Sequence, residues 1–148
     1  MRNRKVGHDS RPHSPSASRS TPPTIRAWHA LVAAPTPQGL RDLLAADVTF
    51  RSPAVHTPQE GPDLTFAYLW AALAVLGPGL TYHREWYAED SAVLEFTTTI
   101  DGKDVHGVDM IAWDQDGAIV DFTVMARPLR GLQALIAAMG AELQKAHG

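Results

Sequence analysis

The 148-residue chain contains no cysteine. That absence excludes disulfides, thiolate metal centres and cysteine nucleophiles, and it is compatible with a reducing compartment. No uninterrupted apolar run approaches the roughly 18 to 20 residues that cross a bilayer. The basic N-terminus runs into polar residues and prolines instead of an apolar signal segment, so a cytoplasmic location and no membrane partner are expected. Positive charge is also scarce outside that terminus. Residues 1 to 23 carry Arg2, Arg4, Lys5, Arg11 and Arg19 against Asp9, a net of +4, while the whole chain is at −3, which leaves −7 on the remainder. An acidic body argues against nucleic-acid binding, and the Ser/Pro/Arg tail reads as disordered.

What is present is enough apolar sequence for one domain over residues 24 to 148, since 45% of the chain is hydrophobic. Thr24 is placed to cap a helix through "IRAWHALVAA", with Ile25, Trp28, Leu31 and Val32 on one stripe. A second helix starts at Thr36-Pro37 and turns Leu40, Leu43 and Leu44 inward. "DVTFRSP" alternates as a strand, "AVHTPQEGP" is a loop, and "DLTFAYLWAALAVL" is a helix with hardly a polar face, which something must cover. Four strands follow, near "LTYHREWY", "SAVLEFTTTI", "KDVHGVDMIAW" and "AIVDFTVMA". Asp101-Gly102 and Asp116-Gly117 mark tight reversals, so antiparallel pairing is expected. A final amphipathic helix carries Leu129, Leu132, Ile136, Met139 and Leu143 on one stripe. It either covers the apolar third helix or reaches a partner subunit. Helices followed by a run of strands indicate an α+β fold, a curved antiparallel sheet wrapped around helices with a cone-shaped hollow suited to an apolar ligand.

One residue breaks the pattern. Val105, Gly107, Asp109, Ile111 and Trp113 share a strand face, and Asp109 is its only acid. A carboxyl facing a core is paired, hydrogen-bonded or neutralised by a raised pKa. It either fixes structure or serves a ligand as acid, base or hydrogen-bond donor.

The segments "LRDLLAADVTFRSP" and "GVDMIAWDQDGAIVDFTV", in this order of elements, resemble the nuclear transport factor 2-like superfamily over residues 24 to 127. That superfamily includes SnoaL-like polyketide cyclases, ketosteroid isomerases and limonene epoxide hydrolases. The resemblance implies a cone-shaped, cystatin-like roll with an extra C-terminal helix. In the isomerases a helix tyrosine and a strand carboxylic acid form an oxyanion hole, and an aspartate before a proline takes the substrate proton. Those places fall on Trp28, Asp109 and Ser52, and only Asp109 keeps its chemistry. The epoxide hydrolase network lacks parts as well, because strand alternation sends Asp121 and Arg127 outward. The cyclases use a strand aspartate near a histidine, for which Asp109 and His56 are the available pair.

The candidate catalytic residues are therefore Asp109 and His56, although a loop histidine is more often simply solvated. His29 has a lesser claim. Trp28, Ser52, Tyr68, Leu94, Phe96, Ile111, Phe122 and Val124 are candidate ligand contacts, with simple core packing as the alternative for most. No histidine pair shares a compact spacing with a carboxylate, so neither a metal nor another cofactor is expected. Glu95, Thr97, His106, Val108 and Met110 lie on the outer sheet face, where the superfamily often forms a homodimer. The expectation is a pocket for a small apolar, polyketide-, terpenoid- or steroid-like molecule. It comes either with cofactor-independent isomerase, cyclase or hydrolase chemistry or as a noncatalytic binding or dimerisation module in which Asp109 is structural.

Overall fold

The computed structural model describes residues 20–147. The tail expected over residues 1 to 23 lies outside them but for its last four residues, and the first described element is α1, Pro23–Ala33. Ile25, Trp28 and Leu31 recur on the buried side of α1, as their spacing predicts. Thr24 does not cap it. Pro22 holds the cap position, and the Thr24 hydroxyl instead donates to the Gly117 carbonyl at 2.8 Å, which ties the helix to a distant turn. In α2, Pro37–Leu43, Thr36 accepts from the Gly39 N–H at 3.0 Å and Pro37 occupies the first turn.

Next come β1 (Leu44–Arg51), β2 (Gln59–Glu60), α3 (Pro62–Leu76), a 3-10 turn, β3 (Thr81–Tyr87), β4 (Ser91–Ile100), β5 (Lys103–Trp113), β6 (Ile119–Arg127) and α4 (Leu129–His147). The six strands form one sheet in the order β2-β1-β6-β5-β4-β3. Tight turns join the antiparallel meander β3 to β6, and Asp101 and Gly102 adopt the positive φ values, 50° and 72°, that a two-residue hairpin requires. β1, however, lies parallel to β6. Its route to that neighbour passes through α3 and the whole meander, long enough for a parallel pairing that no turn signal announces. β2, within the expected loop, pairs briefly with β1.

Glycine settles two close approaches. At Gly107 a Cβ would lie 2.7 Å from the Phe96 ring and 2.4 Å from the Met125 carbonyl, so only hydrogen lets the two strands and the ring close up. At Gly131 a Cβ would lie 2.3 Å from the Asp104 carbonyl, so α4 sits directly on the backbone of β5. That seat turns α4 away from the expected stripe. Leu135, one helical turn beyond Gly131, is 3% exposed, whereas Leu129 is 67% exposed. The apolar α3 is packed against α4 as well as β1, which answers what covers it. Among the described residues no helix is long and apolar enough to cross a membrane.

Gly107→Ala is expected to lower the unfolding free energy by about 3 kcal/mol, the upper range for overpacking, because backbone and a fully buried ring both block the methyl group. Urea unfolding with an unchanged midpoint would refute this.

Candidate functional site

The narrow end of the cone is built from α1, β3 and β5. On β5 the alternation holds: Val105, Gly107, Asp109 and Ile111 point inward, and Asp109 is 5% exposed. On β3 the alternation breaks. Tyr82 pairs with Phe96 and Glu85 with Leu94, so two residues on β3, His83 and Arg84, match a single one, Glu95, on β4. This bulge turns both Tyr82 and Glu85 inward, three residues apart, and sends Arg84 and Trp86 outward.

Tyr82 thereby reaches Asp109. Its hydroxyl donates to Asp109 Oδ2 at 2.6 Å and accepts from the Trp28 indole N–H at 2.9 Å. The chain Trp28, Tyr82, Asp109 is directional, each donor polarised by the group behind it. The other oxygen of Asp109 makes no hydrogen bond to the described residues. Beside this chain, Glu85 accepts from the Tyr87 hydroxyl at 2.7 Å and meets His29 Nε2 at 2.8 Å, while the His29 ring lies 5.6 Å from that of Tyr82.

Burial raises the Asp109 pKa from its ordinary value near 3.8 to about 7; the Tyr82 hydrogen bond opposes the shift and the nearby Glu85 charge adds to it. Burial also pushes the Tyr82 phenol well above 10, helped by Asp109 and opposed by the indole donor. Near neutrality Asp109 is thus divided between acid and carboxylate, and Tyr82 stays a neutral donor.

Two hollows share part of their lining. The smaller, about 20 Å³, is lined by Asp109, Tyr82, Trp28, Phe122 and Val124 with leucines of α3. The larger, about 200 Å³, lies between β1, α3 and α4 and is lined by Phe50, Ser52 and Tyr68 on one side and Leu135, Met139 and Leu143 on the other. Ala72, Leu76 and Val124 belong to both walls. Trp28, Phe122 and Val124 therefore face the small hollow, and Ser52, Tyr68 and Val124 the larger.

Other expected contacts are corrected. Leu94, Phe96 and Ile111 are at most 1% exposed and line neither hollow, because they fill the packing between sheet and helices. His56 is exposed in the loop after β1, and no hydrogen bond joins it to Asp109. The loop carries it past the rim that Pro53, Ala54 and Val55 supply. Sequence reasoning missed Tyr82 and Glu85, because strict alternation cannot place both on one face. The one available signal was that a buried carboxyl on β5 needs a donor, and Tyr82 is an aromatic donor three residues after the GPG turn.

On the opposite face of the sheet, Arg84 grips Glu95 through Nε at 2.7 Å and Nη2 at 3.0 Å, and His106 Nε2 meets the same carboxylate at 2.8 Å. These contacts, Arg84 first, hold the Glu95 carboxyl far below its usual range. Arg127 Nη1 donates to His106 Nδ1 at 3.1 Å. Among the described residues no three His, Asp or Glu side chains are grouped to hold a metal ion.

A curved sheet closed by helices over a buried acid is the architecture of the nuclear transport factor 2-like, cystatin-fold class. Residues 25–122 match the model of the SnoaL-like domain, and the chain belongs to that family. A steroid delta-isomerase from Pseudomonas aeruginosa is similar at 40% identity and a TM-score of 0.78, over 83% of this chain and 90% of that one. A cystatin-like-fold protein from Silicibacter pomeroyi is 33% identical with a TM-score of 0.74, over 80% and 84%. A ketosteroid isomerase-like protein from Catenulispora acidiphila, in complex with trimethylamine, shares the fold at 20% identity and a TM-score of 0.57, over 82% and 95%. No curated protein matches the chain.

The raised Asp109 pKa has a signed consequence for stability. The folded protein holds this proton up to about pH 7, whereas the unfolded chain releases it near 3.8. Asp109 therefore supports folding in acid, and that support declines as pH rises from about 4 to 7, by on the order of 4 kcal/mol. Asp109→Asn cannot titrate, so its unfolding free energy relative to wild type should climb across that window and level above it. Parallel stability profiles from pH 4 to 8 would contradict the assignment.

Proposed function

We propose that this chain binds a small, neutral, largely apolar ring compound in the larger hollow, and that Asp109 in its acid form donates a hydrogen bond to the compound's single oxygen. The observation that carries this reading is the directed chain from Trp28 through Tyr82 to Asp109, which leaves one Asp109 oxygen without a partner among the described residues, beside the small hollow. At about 20 Å³ that hollow has room for one water-sized group, so a carbonyl or hydroxyl oxygen fits and a carboxylate or phosphate does not. The Pseudomonas relative described as a steroid delta-isomerase supports a cyclic ketone as the ligand class.

The same walls limit the chemistry. Ser52 accepts the Ala54 N–H at 2.9 Å, and among the described residues it hydrogen-bonds no base and Tyr68 is the only titratable side chain facing the larger hollow. Asp109 is thus the group that polarises or protonates the ligand oxygen, without a second carboxylate to complete a two-base isomerisation. Enzyme and binding module share this contact, and proton transfer to the oxygen is the step Asp109 supplies.

The outer sheet face supports a second element of the reading, a homodimer. Cross-strand pairing sets Trp86, Val93 and Met110 in one row and Glu95, Val108 and Met125 in the next. Trp86, Met110 and Met125 are 44%, 38% and 55% exposed around the Arg84–Glu95–His106 cluster, a large apolar surface for a solvated face.

Two measurements test these statements. With 1-decalone as probe, wild-type affinity should fall tenfold per pH unit above about pH 7, where Asp109 loses the donated proton. Asp109→Asn, whose amide still donates, should bind independently of pH, and Asp109→Leu should bind at least tenfold more weakly at pH 6. A wild-type affinity flat from pH 5 to 9, with Asp109→Leu unimpaired, would remove Asp109 from ligand recognition. For the dimer, sedimentation equilibrium should give twice the chain mass, and Met110→Glu with Met125→Glu should return the monomer. A monomeric wild type at 100 µM would rule the interface out.

A further inference from the structure

Resting on the reading that the larger hollow seats the ligand, we infer that α4 is its specificity element: the helix limits the site to one- or two-ring compounds and excludes four fused rings. The hollow measures about 200 Å³, and α4 supplies Leu135, Ile136, Met139 and Leu143 to its wall. A cavity of about 150 Å³ holds benzene, and pockets for drug-sized molecules begin near 300 Å³. The space beneath α4 therefore takes a single substituted ring or a compact bicycle. The adjoining hollow at Asp109 measures only about 20 Å³, one oxygen's worth.

The limit is set by side chains on a fixed frame. Gly131 seats the start of α4 on the Asp104 carbonyl, with a would-be Cβ only 2.3 Å away, and Leu135, one turn later, is 3% exposed. With both ends of that turn pinned against the body, the helix cannot rise to lengthen the site without uncovering Leu135 and opening the packing over α3. Leu135 and Met139 stand opposite Phe50 and Tyr68 across the space, so their length decides how far a ligand extends from the Asp109 end. Met139 is only partly buried, and its flexible thioether adapts to different small rings without making room for a rigid tetracycle. Size selection thus resides in the helix, and oxygen recognition in β3 and β5.

The test is an equilibrium titration followed by tryptophan fluorescence, with cyclohexanone, 1-decalone, 5α-androstan-3-one and the oxygen-free decalin as probes. Wild type should bind 1-decalone at least tenfold more tightly than the four-ring ketone. Met139→Ala and Leu135→Ala, measured separately, should each raise the affinity for the four-ring ketone relative to that for 1-decalone at least tenfold. Met139 is the less buried of the two, so its variant keeps the test open where Leu135→Ala unfolds. A four-ring ketone that binds wild type as tightly as 1-decalone overturns the inference, as do an unchanged size ranking in Met139→Ala and the failure of every one- and two-ring probe to bind. If decalin binds as well as 1-decalone and Asp109→Leu binds both like wild type, the size limit stands and the hydrogen-bonding role of Asp109 falls.

Discussion

A carboxyl group removed from water is the constraint around which the rest of this molecule is arranged. Asp109 sits on a strand face that is otherwise apolar, and leaving its charge there unpaired would cost several kcal/mol. The fold answers in two ways at once. Tyr82 donates to one oxygen, and burial shifts the group toward its neutral form. The phenol needs its own support, which Trp28 provides from the first helix. Three elements distant in sequence are thus held in register by one short polar chain inside an apolar interior, and among the described residues the second Asp109 oxygen has no partner.

The two faces of the sheet use acids in opposite ways. Asp109, on the inner face, has no cation in hydrogen-bond contact among the described residues, and its proton is retained to about pH 7. Glu95, on the outer face, is gripped by Arg84 and His106 and stays ionised. The inner carboxyl can exchange a proton near neutrality, whereas the outer one is held by fixed contacts. Glu85 belongs with the inner set, and through its charge it pushes the Asp109 proton in the direction that suits donation.

Family membership fixes less about chemistry than the side chains do. The isomerase oxyanion hole pairs a helix phenol with a strand acid, and the helix position here is Trp28. A phenol is nevertheless present, brought by the β3 bulge from a different element. This phenol donates to Asp109 and not into the hollow, and the position before Pro53 is Ser52. Likeness of fold across relatives is therefore a guide to where the site lies, and its donors and acceptors decide what it can do.

Much of this was legible in the residues. Period-two alternation placed Asp109 inward, Thr36-Pro37 announced α2, and Asp101-Gly102 announced a hairpin, because each signal acts within a few residues. The partner of Asp109 was not legible. A bulge depends on how two strands match over their whole length, so alternation alone cannot place Tyr82 and Glu85 on one face and gives no reason to join Tyr82 to Asp109. Nor could spacing show the parallel pairing of β1 with β6, the exposure of His56, or the rotation of α4 by the seat of Gly131 on β5. The sequence by itself determined which segments form elements and that one acid must be buried, since propensity, capping and periodicity are local. Only the tertiary structure decided which donor meets that acid and how much room remains beside it, because both depend on register and packing between segments far apart in the chain.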